Sequence, residues 1–377
     1  MRVGIIGQAL TIEKENNDWS VEDTVFYTVK KALKSCDFEI GDVETVISAA
    51  DDVLDGLAIN HCQTIEASGA FLKEETKVER DGAWAVHYAM ARLLSGKFKT
   101  AMVVAFSKGS QCGLSAFSGM VADPFYLRPV GTDSDSICAI QAGYFAERVK
   151  ADERDYALVA QKNRFAGLKN PRVMQGEAKD YSLEQILQSS PIATPITELT
   201  ASRVGDGCTV LILATEEYVK ARKKKASFIT GVGFISDAYY PTYRDLSRIK
   251  SAEAAASAAY KMANITPDKI DVAEVHECYA HQEIMLYEAL GLCKEGESIL
   301  ALREGKTKRD GKIPVNPSGG VLCGNVIYAS GLTRILESHL QVSGDAGDVQ
   351  VKGAKAAVAH AQAGLAMQAN IVYVIEA

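Results

Sequence analysis

Val78-Glu79-Arg80-Asp81-Gly82-Ala83-Trp84-Ala85-Val86-His87-Tyr88-Ala89 carries a polar loop straight into a helix. From Gly82 the apolar side chains fall at helical spacing, Ala85, Ala89 and Leu93 with Val86, Met90 and Leu94 beside them. That period predicts a buried helix from Gly82 to Leu94. Glu79 and Asp81 stand before or in its first turn, where free backbone N–H groups and the positive end of the dipole favour an anion. An enzyme would also place a nucleophile or a carboxylate base there. On this stretch alone, helix capping explains the acids more simply than catalysis does.

Working outward, Lys97-Phe98-Lys99-Thr100 leads from this helix to a predicted strand, Ala101 to Phe106. Upstream, Val3 to Ile6 predicts a short strand turning at Gly7. Ser20-Val21-Glu22-Asp23 has the form of a capping box and opens a helix to about Ser35. Ile40 to Ser48 then leads into another strand. The same order returns later. Ile229 to Phe234 reads as a glycine-broken strand, Ser251 to Met262 as an alanine-rich helix, and Ile265 to Val275 as the approach to a strand ending at His276. Helix Gly331 to Leu340 and strand Ala356 to His360 repeat the second part of the unit. The pattern predicts two copies of one α/β unit, residues 1–225 and 226–377, with ligands held where the strand ends converge.

A region from about 108 to 199 interrupts the first copy, with helices expected from Ser136 to Ala151 and from Asp155 to Leu168, the latter stopped by Asn170-Pro171. Loops of this length usually carry function or an interface. The basic run Lys220 to Lys225 marks the boundary between copies and reads as a solvated helix end, with phosphate contact as the less expected alternative.

The 377 residues, 47% hydrophobic and 24% charged, fit a large α/β protein. A net charge of -7 argues against nucleic acid as the main partner. No apolar run has the length of a membrane span, and the first residues lack the layout of a signal peptide, so a cytoplasmic location is expected. The eight cysteines include no CxxC pair. His276, Cys278 and His281 have no second half at metal-site spacing, so no metal is expected in this chain.

Two later stretches carry chemistry. In Glu274-Val275-His276-Glu277-Cys278-Tyr279-Ala280-His281, His276 would emerge at a strand end, able to donate to a developing oxyanion, with the Cys278 thiol near enough to move a proton. A core histidine beside a buried cysteine explains the same residues equally well. In Val315 to Gly331, the glycines Gly319, Gly320 and Gly324 suggest close backbone approach to a ligand, or a tight structural turn.

Together these stretches resemble the thiolase superfamily, especially the thiolases related to sterol carrier protein X and their archaeal and bacterial relatives. Those enzymes carry Cys-Ala-Ser-Gly-x-x-Ala-Val, His-Asp-Cys-Phe and Gly-Gly...Gly-His-Pro motifs. This chain has Glu79-Arg80-Asp81-Gly82-Ala83-Trp84-Ala85-Val86, His276-Glu277-Cys278-Tyr279 and Gly319-Gly320...Gly324-Asn325 in the same order. The resemblance implies an α/β fold of the thiolase-like kind, a duplicated five-layer αβαβα arrangement, a homodimer, and coenzyme A thioesters as substrates. It places the nucleophilic cysteine on Glu79 and the Gly-His-Pro histidine on Asn325. Ala359-His360-Ala361-Gln362-Ala363-Gly364 resembles the family's last active-site loop, which adds His360 to the expected pocket.

These departures change the expected chemistry. A carboxylate at Glu79 would have to form a mixed anhydride, which makes ordinary thiolysis a poor expectation. Retro-aldol cleavage of a β-hydroxyacyl-CoA needs no covalent acyl enzyme. In that reading Glu79 or Tyr328 is the base, His276 and Asn325 hold the oxyanion, and Cys278 returns a proton to the enolate. Relatives of this kind are aldolases that pair with a small zinc-containing OB-fold protein. An acyltransferase using another thiol, Cys278 or Cys323, is the second expectation. A noncatalytic subunit of a thiolase-like complex is the third.

Overall fold

The computed structural model describes residues 2–377. Its strands are β1 (Val3–Glu13), β2 (Thr45–Ala49), β3 (Glu74–Val78), β4 (Thr100–Lys108), β5 (Asp206–Thr215), β6 (Ser227–Ser236), β7 (Val272–Glu274), β8 (Ala356–Ala363) and β9 (Ala369–Glu376). The helices that matter here are α1 (Val21–Ser35), α2 (Asp52–Asp55), α3 (Gly82–Leu94), α4 (Leu114–Val121), α5 (Ser134–Val149), α6 (Glu153–Gly167), α7 (Lys250–Ala263), α8 (Ala280–Ala289) and α9 (Ser330–Ser343). The strands hydrogen-bond in the order β3-β2-β4-β5-β1-β6-β9-β8-β7. The first five and the last four mirror each other across β1 and β6, and Val315 bridges Ala273 where a fifth strand of the second set would lie. β1 and β6 pair only through Val3, Ile5 and the residue between. Beyond that seam the two sets diverge.

The packing gives five layers. Apolar faces of α3 and α9 share one core with inward side chains of both strand sets, including Leu93, Leu332, Ile371 and Leu211. α1 covers the outer face of the first set through Val25, Val29 and Ala32. α7 and α8 cover the outer face of the second set through Ala255, Ala259, Ile284 and Leu286. Both faces of the central strands are covered, so β5 is buried along its whole length and carries the apolar run Val210 to Ala214.

Local chemistry sets the element ends. Ser20 and Asp23 form the reciprocal capping box of α1. Asp81 caps α3 by accepting the Ala83 N–H, and α3 runs from Gly82 to Leu94 as its apolar period predicts. Two glycine readings are corrected. Gly7 does not turn the chain: β1 continues to Glu13, because Gly7 is where Cys36 and the Ala32 carbonyl of α1 press on the strand. Gly231 and Gly233 do not break β6. A Cβ at either would land on the carbonyl oxygen of Ala259 or Ala255, so these glycines let the alanine stripe of α7 lie directly on the strand. Gly233→Val is therefore expected to push α7 outward and cost about 3 kcal/mol, read as a lower denaturant midpoint. Unchanged stability would mean α7 is not held at that distance.

The basic run at 220–225 ends the helix Glu216–Arg222, with Lys223 in left-handed backbone. Lys220 and Lys225 pair with Glu216 and Asp345.

Candidate active site

The loop after β3, the loop after β7, the N-terminus of α3, the turn before α9, and α4 with the start of α5 meet at one cavity of about 450 Å³. Such convergence is where open α/β sheets bind ligands. Glu79, Asp81, His276, Cys278, Asn325 and Tyr328 all line it.

Glu79, the expected base, is not a buried carboxylate. Its side chain is 48% exposed, pairs with Lys77 at 2.6 Å and accepts the Asp52 N–H at 3.1 Å. The buried acid is Asp81, 3% exposed, two residues along on the helix side of the turn. Its two oxygens accept N–H groups from Ala83 of α3 and Gly331 of α9, each at 2.8 Å, so one carboxyl caps both central helices. Burial pushes it up to about 7, against the pull of those N–H groups and Arg334. No side chain fits at 331, since a Cβ would strike Asp81.

His276 follows β7 by two residues rather than ending it. Its Nε2 lies 3.6 Å from Cys278 Sγ, and its buried Nδ1 has no partner among the described residues. Burial first, then His360 and Arg334, drive the imidazole down to about 3, so it is neutral at physiological pH. A neutral ring with one unpaired nitrogen can give a hydrogen bond to a ligand oxygen without carrying charge. Gln362 Nε2 donates to the His276 carbonyl at 2.8 Å, and Gln282 Oε1 accepts the Cys278 N–H at 3.0 Å, which fixes the loop. Burial pushes the Cys278 thiol up to about 12. Asn325 is oriented by Ser330, whose hydroxyl donates to Oδ1 at 2.9 Å, leaving Nδ2 directed at Ser202 and Cys278.

Tyr328 sits at the mouth of α9 in left-handed backbone, φ +67. Its hydroxyl donates to Asp51 at 2.6 Å, and burial holds its pKa far above the usual phenol range. Tyr279 makes a parallel pair, its hydroxyl donating to Asp135 at 2.6 Å, also on the cavity wall. Asp51, Tyr279 and Asp135 were missed as site residues by sequence reasoning. Asp51 had left a signal, standing just past the end of a buried parallel strand, and Tyr279 lies inside the His276 motif.

The remaining expected residues lie elsewhere. His360 does not line the cavity: Asn370 Oδ1 takes its Nε2–H at 2.8 Å, and its Nδ1 accepts the His276 N–H at 3.4 Å. It supports the His276 backbone from behind. Gly319, Gly320 and Gly324 are buried against the chain itself. A Cβ on Gly320 would strike the Glu277 carboxyl, one on Gly319 would meet Gly167, and one on Gly324 would meet Ile12 and Met174. Their freedom serves a tight turn, not a ligand. Cys323 is packed below that turn, with burial pushing its thiol up to about 12. Among the described residues no cluster of His, Cys, Asp and Glu could hold a metal, and no helix is long and apolar enough to cross a membrane.

The buried groups predict an unusual pH response. Burial raises Asp55 to about 6 and Asp81 to about 7, and raises Glu274 and Glu277 as well. It lowers His276 and His281 to about 3, and His339 and His360 to about 4. A raised carboxyl binds more protons folded than unfolded, so it favours the fold as pH falls from its folded value toward about 4. A lowered imidazole does the reverse below about 6.5. Between roughly pH 6.5 and 4.5 the two sets oppose each other and stability is expected to be nearly flat. Below that the imidazoles act together with carboxyls such as Glu216 that are held below their ordinary range, and stability is expected to fall steeply. Denaturant midpoints across pH 3–8 test this; a smooth decline starting at 6.5 would show that the carboxyls do not compensate.

A family model for the thiolase C-terminal domain-like family matches residues 235–376. Sterol carrier protein 2 of Oryctolagus cuniculus is 35% identical over 213 residues, covering 54% of this chain and 38% of that protein. Acetyl-CoA acetyltransferase of Methanothermobacter thermautotrophicus is 33% identical over 241 residues, covering 61% of this chain and 60% of that protein. The matches thus span less than two thirds of these curated relatives. Among solved structures, the Ltp2-ChsH2(DUF35) aldolase superposes with a TM-score of 0.84 at 19% identity, covering 100% of this chain and 98% of that one. The mirrored strand sets around α3 and α9 and these matches agree: the chain has the thiolase fold, and its residues 235–376 match the thiolase C-terminal domain-like family.

Proposed function

We propose that the protein is a carbon–carbon lyase acting on a β-hydroxyacyl coenzyme A thioester by retro-aldol cleavage, without a covalent acyl enzyme. The observation that carries this is Tyr328 on the wall of a cavity that has no activated thiol, with its hydroxyl bound to Asp51 behind it. Tyr328 stays protonated, so it acts by relay: its oxygen takes the proton of the substrate β-hydroxyl as its own proton passes to Asp51. The Cα–Cβ bond breaks, its electron pair enters the thioester as an enolate, and the β-carbon leaves as a carbonyl. His276 and Asn325 donate to the enolate oxygen, and the Cys278 thiol protonates Cα. This leaves the hydroxyl's proton on Asp51 and Cys278 as a thiolate; passage of that proton through solvent in the opened cavity restores both groups, so no net proton is consumed. Tyr279–Asp135 is positioned to hold the departing carbonyl.

Glu79 serves in this reading as the Lys77 partner that holds the α2 turn carrying Asp51, rather than as the base. The acyltransferase alternative is disfavoured because Cys278 and Cys323 are both held as thiols, which are weak nucleophiles. The noncatalytic alternative loses ground for a different reason: a chain without chemistry has no use for two tyrosines, each hydrogen-bonded to an aspartate, facing one cavity.

For partners we propose a DUF35-type, zinc-containing OB-fold subunit, by analogy with the aldolase complex named above, and a homodimer. The sheet edge at β3, flanked by exposed Ile59, Phe71 and Leu72, is the surface suited to a second copy. Incubation with β-hydroxyacyl and β-ketoacyl thioesters, following products and protein mass together, tests the reaction. Cleavage products with no mass adduct are expected. An acyl group on a cysteine would replace this reading with acyl transfer.

A further inference from the structure

α6 carries Leu158, Lys162, Phe165 and Ala166 at helical spacing, with Lys169 just past its end, so these side chains stand on one face. Phe165 on that face is 52% exposed. Opposite stand Leu302, from the short helix Ser298–Arg303, and the turn Lys308-Arg309-Asp310. Between the two walls lies a cavity of about 370 Å³ that shares no lining residue with the candidate active site. Leu158, Phe165, Ala166 and Leu302 make its floor apolar.

The charges around that floor divide into those already engaged and those that are not. Lys162 is held by Glu283 at 2.9 Å and by the Val315 carbonyl at 2.7 Å. Arg309 is held by Asp310 at 3.4 Å and by the Asp348 carbonyl at 2.8 Å. Lys169 and Lys308 are exposed on the rim and form no ion pair among the described residues, and Asp180 is the one lining acid in the same condition. Two unpaired ammoniums against one unpaired carboxylate, above an apolar floor, complement a molecule of the opposite layout. Its hydrocarbon or aromatic body would leave water on Phe165 and Leu302, while its negative head would stay at the solvated rim, where no charge has to be desolvated.

We propose that this cavity is a second ligand site, separate from the candidate active site, and that it takes a small amphipathic anion with an alkyl or aromatic body. The assignment stands apart from the cleavage reaction, so binding tests it without turnover.

Titration calorimetry on the full chain with decanoate, below its micelle concentration, and with decanol compares one alkyl body with and without a negative head. Decanoate is expected to bind about fivefold more tightly than decanol. Lys169→Glu combined with Lys308→Glu should weaken decanoate about tenfold and leave decanol within about twofold. Phe165→Ala should weaken both ligands about fivefold, since it removes half of the floor's contact with the alkyl chain. All three side chains are exposed, and a thermal melt matching the parent's confirms that each variant is folded. Saturating hexanoyl-CoA, directed to the other cavity, should leave decanoate binding unchanged. No decanoate binding, or equal affinity in the parent and the double lysine variant, overturns the proposal. So does displacement of decanoate by hexanoyl-CoA, which would put the bound chain in the candidate active site. Loss of decanoate binding in the lysine variant stands as support even if no thioester is cleaved, and cleavage of a thioester does not rescue a site that fails these titrations.

Discussion

Tyr328→Phe is expected to lower the rate of carbon–carbon cleavage by about a thousandfold while leaving thioester affinity within about twofold. The hydroxyl is the only atom removed, and the ring keeps its packing at the mouth of α9. Asp51→Asn should fall nearly as far, because an amide cannot take up the proton that Tyr328 passes on. The two losses should not add: once either partner is gone the relay is broken, so the double variant should match the worse single one. Glu79→Gln, in contrast, should retain most of the rate, since Glu79 is half-exposed and engaged with Lys77. A thousandfold loss in Glu79→Gln with a mild effect in Tyr328→Phe would reverse the assignment of the base.

The largest expected effect on stability lies behind the site. Arg334, 4% exposed, donates to Glu274 at 2.7 Å and to Ser318 at 2.8 Å, and Glu274 also takes the Ser318 hydroxyl and N–H. Arg334→Met would leave the Glu274 carboxyl buried with no cation and is expected to cost about 3–5 kcal/mol. Equilibrium denaturation gives the number. Pairing the change with Glu274→Gln should recover part of it, because the second substitution removes the stranded charge. If the double variant were no better than the single, the loss would lie in packing rather than in charge.

Much of the fold was legible in the sequence because its elements are stated locally. The apolar period fixed α3 to the residue, and the serine and aspartate of the capping box fixed the start of α1. The repeat of strand, helix and strand announced the mirrored sheet. Glycine was where local reading failed. Gly7, Gly231, Gly233 and the 319–324 turn look like breaks or ligand loops in isolation, yet each answers to a backbone or side chain far along the chain. Nothing within a window of ten residues says that Ala255 and Ala259 will lie on Gly231 and Gly233.

The site was legible in the same partial way. Its motifs led to His276, Cys278, Asn325 and Tyr328, all of which meet in the cavity. Which acid would be buried did not follow, because Glu79 and Asp81 are two residues apart on opposite sides of a turn. Lys77 draws one outward and two helix N-termini draw the other in. His360 was placed too far forward: it shares a face of β8 with Gln362 but lies two residues further back, where Asn370 takes its Nε2–H, and Gln362 near the strand's end is the one that reaches the cavity.

The shared middle layer also dictates how the chain can be made. α3 is complete once residue 94 has been synthesised, but the face it buries belongs with α9, which begins at Ser330. β1, the first strand, finds its partner β5 only at residues 206–215. At ribosomal speeds of about 5–20 residues per second, the nascent chain carries that unmatched apolar helix for roughly half a minute. A protein built this way cannot finish its first half alone, so its early life depends on whatever shields α3 until α9 arrives.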